Sequence, residues 1–274
     1  PYTTLFRSLL KFHFLTEEEE RVILFENKTW SLPQDDQLLK YKLKYPHCYR
    51  YLYFKLGYVN LEESKIIGDA GYNLVNANMF ADVLSGMRSL HPLIDMYYEY
   101  ILSSFCEPLN SLHNQLFEDN NYEVLWSADA QKYLCDQIVT RMRKDSAPCL
   151  GIRCGTNRDG SPWTQIDIAL KDNGYREKLF WRIDIRSGKF YIRLNQYSDP
   201  HNEELAYKYK RRDILRETMN DYIRNSGLHA GEVTDAPKET EIVILFLEEN
   251  DLETLLNNIP AMTNKVVETF KILP

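Results

Sequence analysis

Apolar and polar residues alternate loosely over positions 9–14 (LLKFHF), and apolar residues run together over 21–25 (RVILF). Both stretches are rich in strand formers, and the short acidic connection at 17–20 between them predicts an antiparallel hairpin. Over 35–45 the spacing turns helical: Leu38, Leu39, Tyr41, Leu43 and Tyr45 recur with Lys40, Lys42 and Lys44 between them, and Pro46 ends the run. Residues 49–56 (YRYLYFKL) predict another strand, closed by Gly57. From 80 to 105 the pattern is mainly helical with a break at His91-Pro92, and Tyr97, Tyr98 and Tyr100 read as helix packing in the core.

The second half is patterned differently. Residues 128–143 predict an amphipathic helix. A run of strands follows at 150–154, 164–170, 178–185 and 189–195, with turns at Asn157-Asp159-Gly160 and Ser187-Gly188. A charged helix is expected at 203–225, a strand at 241–247, and one or two closing helices over 251–270. The polar stretch 116–123 is the best cut between two domains.

Composition narrows the class. The chain has 274 residues, 44% hydrophobic and 27% charged, which is enough apolar material for a sizeable core and excludes collagen-like or disordered chains. No apolar run reaches the roughly 18 residues that a membrane span needs, so no membrane partner is expected. Five scattered cysteines fit free thiols in a reducing cytoplasm, and none has the spacing of a zinc site. A net charge of −7 argues against broad nonspecific binding to nucleic acid but leaves room for a local basic cleft. The opening residues 1–8 (PYTTLFRS) resemble the translation of a sequencing adapter, so they are expected to be non-native and the protein to be truncated at its N-terminus.

Chemistry concentrates at 22–41 (VILFENKTWSLPQDDQLLKY). At period two, Glu26 and Lys28 share one face of a strand while Ile23 and Phe25 share the other. The carboxylate is a hard oxygen ligand for Mg²⁺; the ammonium can orient a water and steady developing negative charge, a combination suited to phosphodiester hydrolysis. Taken alone, Glu-x-Lys is a common tripeptide, and a solvated pair at a strand end is its plainer reading.

With the hydrophobic strand before it and Gln37-Leu-Leu-Lys-Tyr41 on the next helix, the segment resembles the PD-(D/E)XK nuclease superfamily, in particular a bacterial subfamily with an IENK strand and a QLxxY helix. The resemblance implies a restriction-endonuclease-like α/β core, a mixed sheet flanked by helices, over 9–120, with an α+β accessory domain over 121–274. It implies Glu26 as metal ligand, the Asn27 carbonyl as a further ligand, Lys28 as catalytic lysine, Gln37 and Tyr41 as contacts to the substrate backbone, and Mg²⁺ or Mn²⁺ as cofactor. The partner it implies is nucleic acid, DNA in the first instance. The family also places an Asp on the preceding strand opposite Glu26. Hairpin register puts positions 7–10 there (Arg7, Ser8, Leu9, Leu10), and none is a carboxylate. This chain is therefore expected to be inactive as it stands. The alternative is a non-catalytic interaction module on the same fold.

Residues 176–193 hold six basic residues against two acidic, interleaved with Phe180, Trp181, Phe190 and Tyr191. Arg182 and Arg186 could track a nucleic-acid backbone from there; a half-buried hairpin with a charged outer face is the plainer reading. Lys208, Lys210, Arg211 and Arg212 read as a solvated helix face.

Overall fold

The structure is a computed structural model and describes residues 6–13, 20–28, 36–170, 177–197, 205–235 and 239–272. The chain divides into two compact units, 1–112 and 113–274, a few residues before the expected cut at 116–123. The architecture is mixed α/β.

The first unit holds a four-stranded mixed sheet in the order β1 (Phe6–His13), β2 (Glu20–Lys28), β3 (Arg50–Lys55), β4 (Asn73–Asn76). β1 and β2 form the expected antiparallel hairpin, whose connection at 14–19 lies outside the described residues. Pairing starts at Phe6, so β1 includes three of the residues expected to be non-native. β2, β3 and β4 are parallel, and each crossover is made by a helix: α1 (Gln37–Lys44) and α2 (Leu61–Asp69). α2 starts on an Asn60 cap, whose Oδ1 accepts from Glu63 N at 2.7 Å, and it ends before Gly71, which supplies a left-handed φ of 71°. Leu24, Leu38, Tyr53, Ile67, Ala70 and Tyr72 pack together as the core under these helices.

Helices α3 (Ala77–Ser85) and α4 (Pro92–Ile101), a π turn at Leu102–Cys106 and α5 (Glu107–Asn110) follow. The break at His91-Pro92 is the N-terminus of α4, with Pro at its first position and the His91 ring accepting from Leu93 N. Phe105 is buried here, but Tyr97 and Tyr100 are about half exposed, at 45% and 51%. The expectation that this tyrosine cluster is core is corrected for Tyr97 and Tyr100: Ala77, Ala81, Leu84 and Ile101 fill the contact between the helices, and of the three tyrosines Tyr98 packs against it, half-buried.

The boundary falls after the first residue of α6 (Leu112–Phe117), and the second unit continues through α7 (Ala128–Lys144) into an antiparallel meander, β5 (Gly151–Thr156), β6 (Pro162–Asp167), β7 (Lys178–Arg186), β8 (Lys189–Tyr197) and β9 (Glu239–Phe246). Ser187 and Gly188 both take positive φ, 52° and 78°, as the tight β7–β8 turn requires. α8 (Leu205–Ser226) precedes β9, and α9 (Leu252–Ile272) closes the unit as a single helix with Pro260 inside it. Trp181, Ile183, Ile192 and Leu194 line the buried face, where Trp181 Nε1 donates to Thr263 Oγ1 of α9 at 2.8 Å. Among the described residues no helix is long and apolar enough to cross a membrane, and all five cysteines are free thiols.

Candidate functional site

Period two along β2 places Leu24, Glu26 and Lys28 on the face under α1 and α2, and all three are buried. Glu26 is 1% exposed and Lys28 5%. Gln37, the first residue of α1, joins them. Its Nε2 donates to Glu26 Oε1 at 3.1 Å and to the Tyr41 hydroxyl at 2.8 Å, and its Oε1 accepts from Lys28 Nζ at 3.2 Å. Lys28 Nζ also stands 3.5 Å from Glu26 Oε1. The Glu-x-Lys strand and the Gln-x-x-x-Tyr helix therefore meet in one hydrogen-bonded group, with the glutamine amide set between the two charges. Asn27 alternates to the other face, and its backbone lies in the sheet between register partners Phe6 and Phe54.

β3 extends this group with residues that the sequence reading assigned only to a strand. Tyr53 is the register partner of Glu26, and Lys55 of Lys28. The Tyr53 hydroxyl donates to Glu63 Oε1 at 2.7 Å and Lys55 Nζ to the same oxygen at 3.0 Å. Lys55 and Glu63 have fully buried side chains. Burial pushes the Tyr53 hydroxyl far above its ordinary range, and the charges of Glu63 and then Glu26 push the same way. The signal was present in the sequence: Tyr53-x-Lys55 repeats, at the end of the next parallel strand, the spacing of Glu26-x-Lys28. Glu63 carries no such signal, because only the α2 crossover brings it back over β3.

Arg7 is the register partner of Glu26, inside the window where the resemblance implies an upstream acid. Among the described residues, no group of three or more His, Cys, Asp or Glu is arranged to hold a metal ion. Two features nevertheless suit a hard cation: the Glu26 carboxylate, and Glu63 Oε2, a buried oxygen with no hydrogen-bond partner.

Arg182 and Arg186 lie in the second unit and are already engaged. Arg182 stacks over Trp163 at 5.0 Å, donates to Asn157 Oδ1 at 2.9 Å and pairs with Asp184 at 3.1 Å. Arg186 pairs with Glu241 at 2.5 Å and donates to the Glu232 carbonyl. Arg193 pairs with Asp184 and Glu241 as well. This is the charged outer face of a hairpin, with its cations matched by carboxylates. Glu177, just before β7, is buried and Lys178, its first residue, is exposed. The expected solvated face of α8 is met by Lys210, which is exposed, and corrected for Lys208, 1% exposed, and Arg211, 2% exposed, the latter because Glu177 provides it a buried carboxylate at 2.8 Å.

Glu241 makes this network sensitive to pH. Burial alone would raise its carboxyl, but hydrogen bonds from Arg186 and Thr234 and the charge of Arg193 hold it below the ordinary glutamate range. A depressed folded-state value contributes stability above the unfolded-state pKa, and that contribution is lost as pH falls through the folded-state value. The second unit is therefore expected to lose urea resistance as pH drops below about 4. Glu241→Gln should flatten that acid limb; a variant as acid-sensitive as the parent would contradict the assignment.

No family model, no curated protein and no solved structure matches this chain.

Proposed function

We propose that the first unit is the core of a Mg²⁺-dependent nuclease of restriction-endonuclease type, acting on phosphodiester bonds in DNA in the cytoplasm. The observation that carries this reading is the Gln37 amide held between Glu26 and Lys28 at the end of parallel strand β2, with Tyr41 on the same amide. The carboxyl ends of parallel strands are where α/β sheets present ligands. Glu26, with the Asn27 carbonyl, would hold the ion, which when bound supplies Lewis-acid stabilisation of charge on the scissile phosphate. Lys28 would orient the attacking water and offset developing negative charge. Gln37 fixes the rotamers of both, and its second amide proton ties Tyr41 to the same group.

Arg7 as register partner of Glu26, and the burial of Glu26 and Lys28, favour a second reading, a nuclease-fold interaction module without catalysis. The two readings part in a single assay, in which single- and double-stranded DNA and RNA are incubated with the protein and Mg²⁺ or Mn²⁺. A form with aspartate restored by Arg7→Asp is tested beside the chain as it stands. Nuclease function predicts cleavage by the restored form and a loss of at least about a hundredfold in Lys28→Ala or Glu26→Gln made on it. No cleavage of any substrate, or cleavage untouched by these substitutions, removes the nuclease reading.

A further inference from the structure

Glu63 takes both of its observed side-chain hydrogen bonds on one oxygen. Tyr53 and Lys55 donate to Oε1, at 2.7 and 3.0 Å, while Oε2 has no hydrogen-bond partner although the residue is only 1% exposed. A buried carboxylate oxygen without a donor is costly, and native structures rarely leave one without a reason. The position is informative. Tyr53 sits beside Glu26 in the sheet and Lys55 beside Lys28, so Glu63 is anchored on the strand adjoining the Glu26 carboxylate, on the same buried face. Lys28 stands 3.5 Å from Glu26 Oε1 and Lys55 3.0 Å from Glu63 Oε1, so each lysine meets the Oε1 side of its carboxylate.

Resting on the phosphodiesterase reading, we propose that Glu63 supplies a second carboxylate oxygen, Oε2, to a divalent cation shared with Glu26, in place of the acid that β1 lacks at Arg7. Lys55 and Tyr53 are positioning residues: by occupying Oε1 they fix the carboxylate and leave Oε2 as the free ligand.

The test is a titration of the full chain with Mn²⁺ alone, reading free ion by electron paramagnetic resonance, with circular dichroism on every variant. The parent should bind Mn²⁺. Glu26→Gln and Glu63→Gln should each weaken binding by about tenfold or more, the range seen when a site loses a supporting group, and the double variant should be little worse than either single one, because both serve one ion. Should Glu63→Gln fail to fold, Glu63→Asp keeps the charge but withdraws the carboxylate, and the same weakening is expected with the fold retained. Binding weakened by Glu26→Gln but not by either Glu63 variant overturns the role of Glu63 and spares the nuclease reading. That is also the result expected if a water joins Asn60 Nδ2, the neighbouring orphan atom, to Glu63 Oε2. No Mn²⁺ binding by the parent, or binding indifferent to both residues, overturns this proposal and the metal-dependent reading together.

Discussion

Lys55→Met is expected to destabilise the first unit by about 3–5 kcal/mol, because it strips a fully buried carboxylate of its ammonium partner. The Glu63 side chain is fully buried, and Tyr53 would remain as its hydroxyl donor. An uncompensated charge in that setting costs far more than the pair itself contributes. The triple variant Tyr53→Phe/Lys55→Met/Glu63→Leu should therefore recover most of the loss, since three apolar side chains of similar volume need no partners and no hydroxyl is left without its acceptor. Hydrogen exchange of the β2 and β3 amides reports on this unit separately. A single variant within about 1 kcal/mol of the parent would mean that the pair is wetter than its burial indicates.

In the second unit the matching experiment is Glu177→Leu. The Glu177 carboxylate holds Arg211 through both oxygens, Nε on Oε2 at 2.8 Å and Nη2 on Oε1 at 2.8 Å, and also accepts from Gln196 Nε2 at 2.9 Å. Burial lowers the Lys208 ammonium on the same helix, and the charge of Glu177 works against that shift. Losing the carboxylate takes an ion pair and two hydrogen bonds from the buried Arg211 guanidinium and should cost about 3–5 kcal/mol, read as a shift in the urea midpoint. Because the pair is buried, the parent should be nearly indifferent to salt between 0.1 and 1 M, roughly the range over which exposed pairs are screened out. A strong salt dependence would place the pair in water.

Much of the fold is legible in the residues because local rules and tertiary packing agree there. The β7–β8 hairpin announces itself by two strand-forming runs around Ser187-Gly188, and its bounds differ from expectation by a residue or two. The hairpin register that placed positions 7–10 opposite Glu26 is met by Arg7. Elsewhere the pattern is silent. α2 and β4 are short, with mixed polar and apolar residues, and they form because β3 offers an edge and the core needs Ile67 and Tyr72. Basic residues are a similar case. The helical run at 208–212 looks solvated until Glu177 arrives from another element, and the arginines of β7 and β8 look available until Glu239 and Glu241 meet them from β9.

By itself the sequence determined the mixed α/β class, the strand that carries Glu26 and Lys28 on one face, and the helix that carries Gln37 and Tyr41, because alternation and helical period are properties of neighbouring residues. Only the tertiary structure decided that these four side chains join one buried group, that Tyr53 and Lys55 stand beside them, and that Glu63 closes the group from α2. Parallel pairing and crossover helices set those distances, and residues 11 to 37 positions apart have no local rule to bring them together.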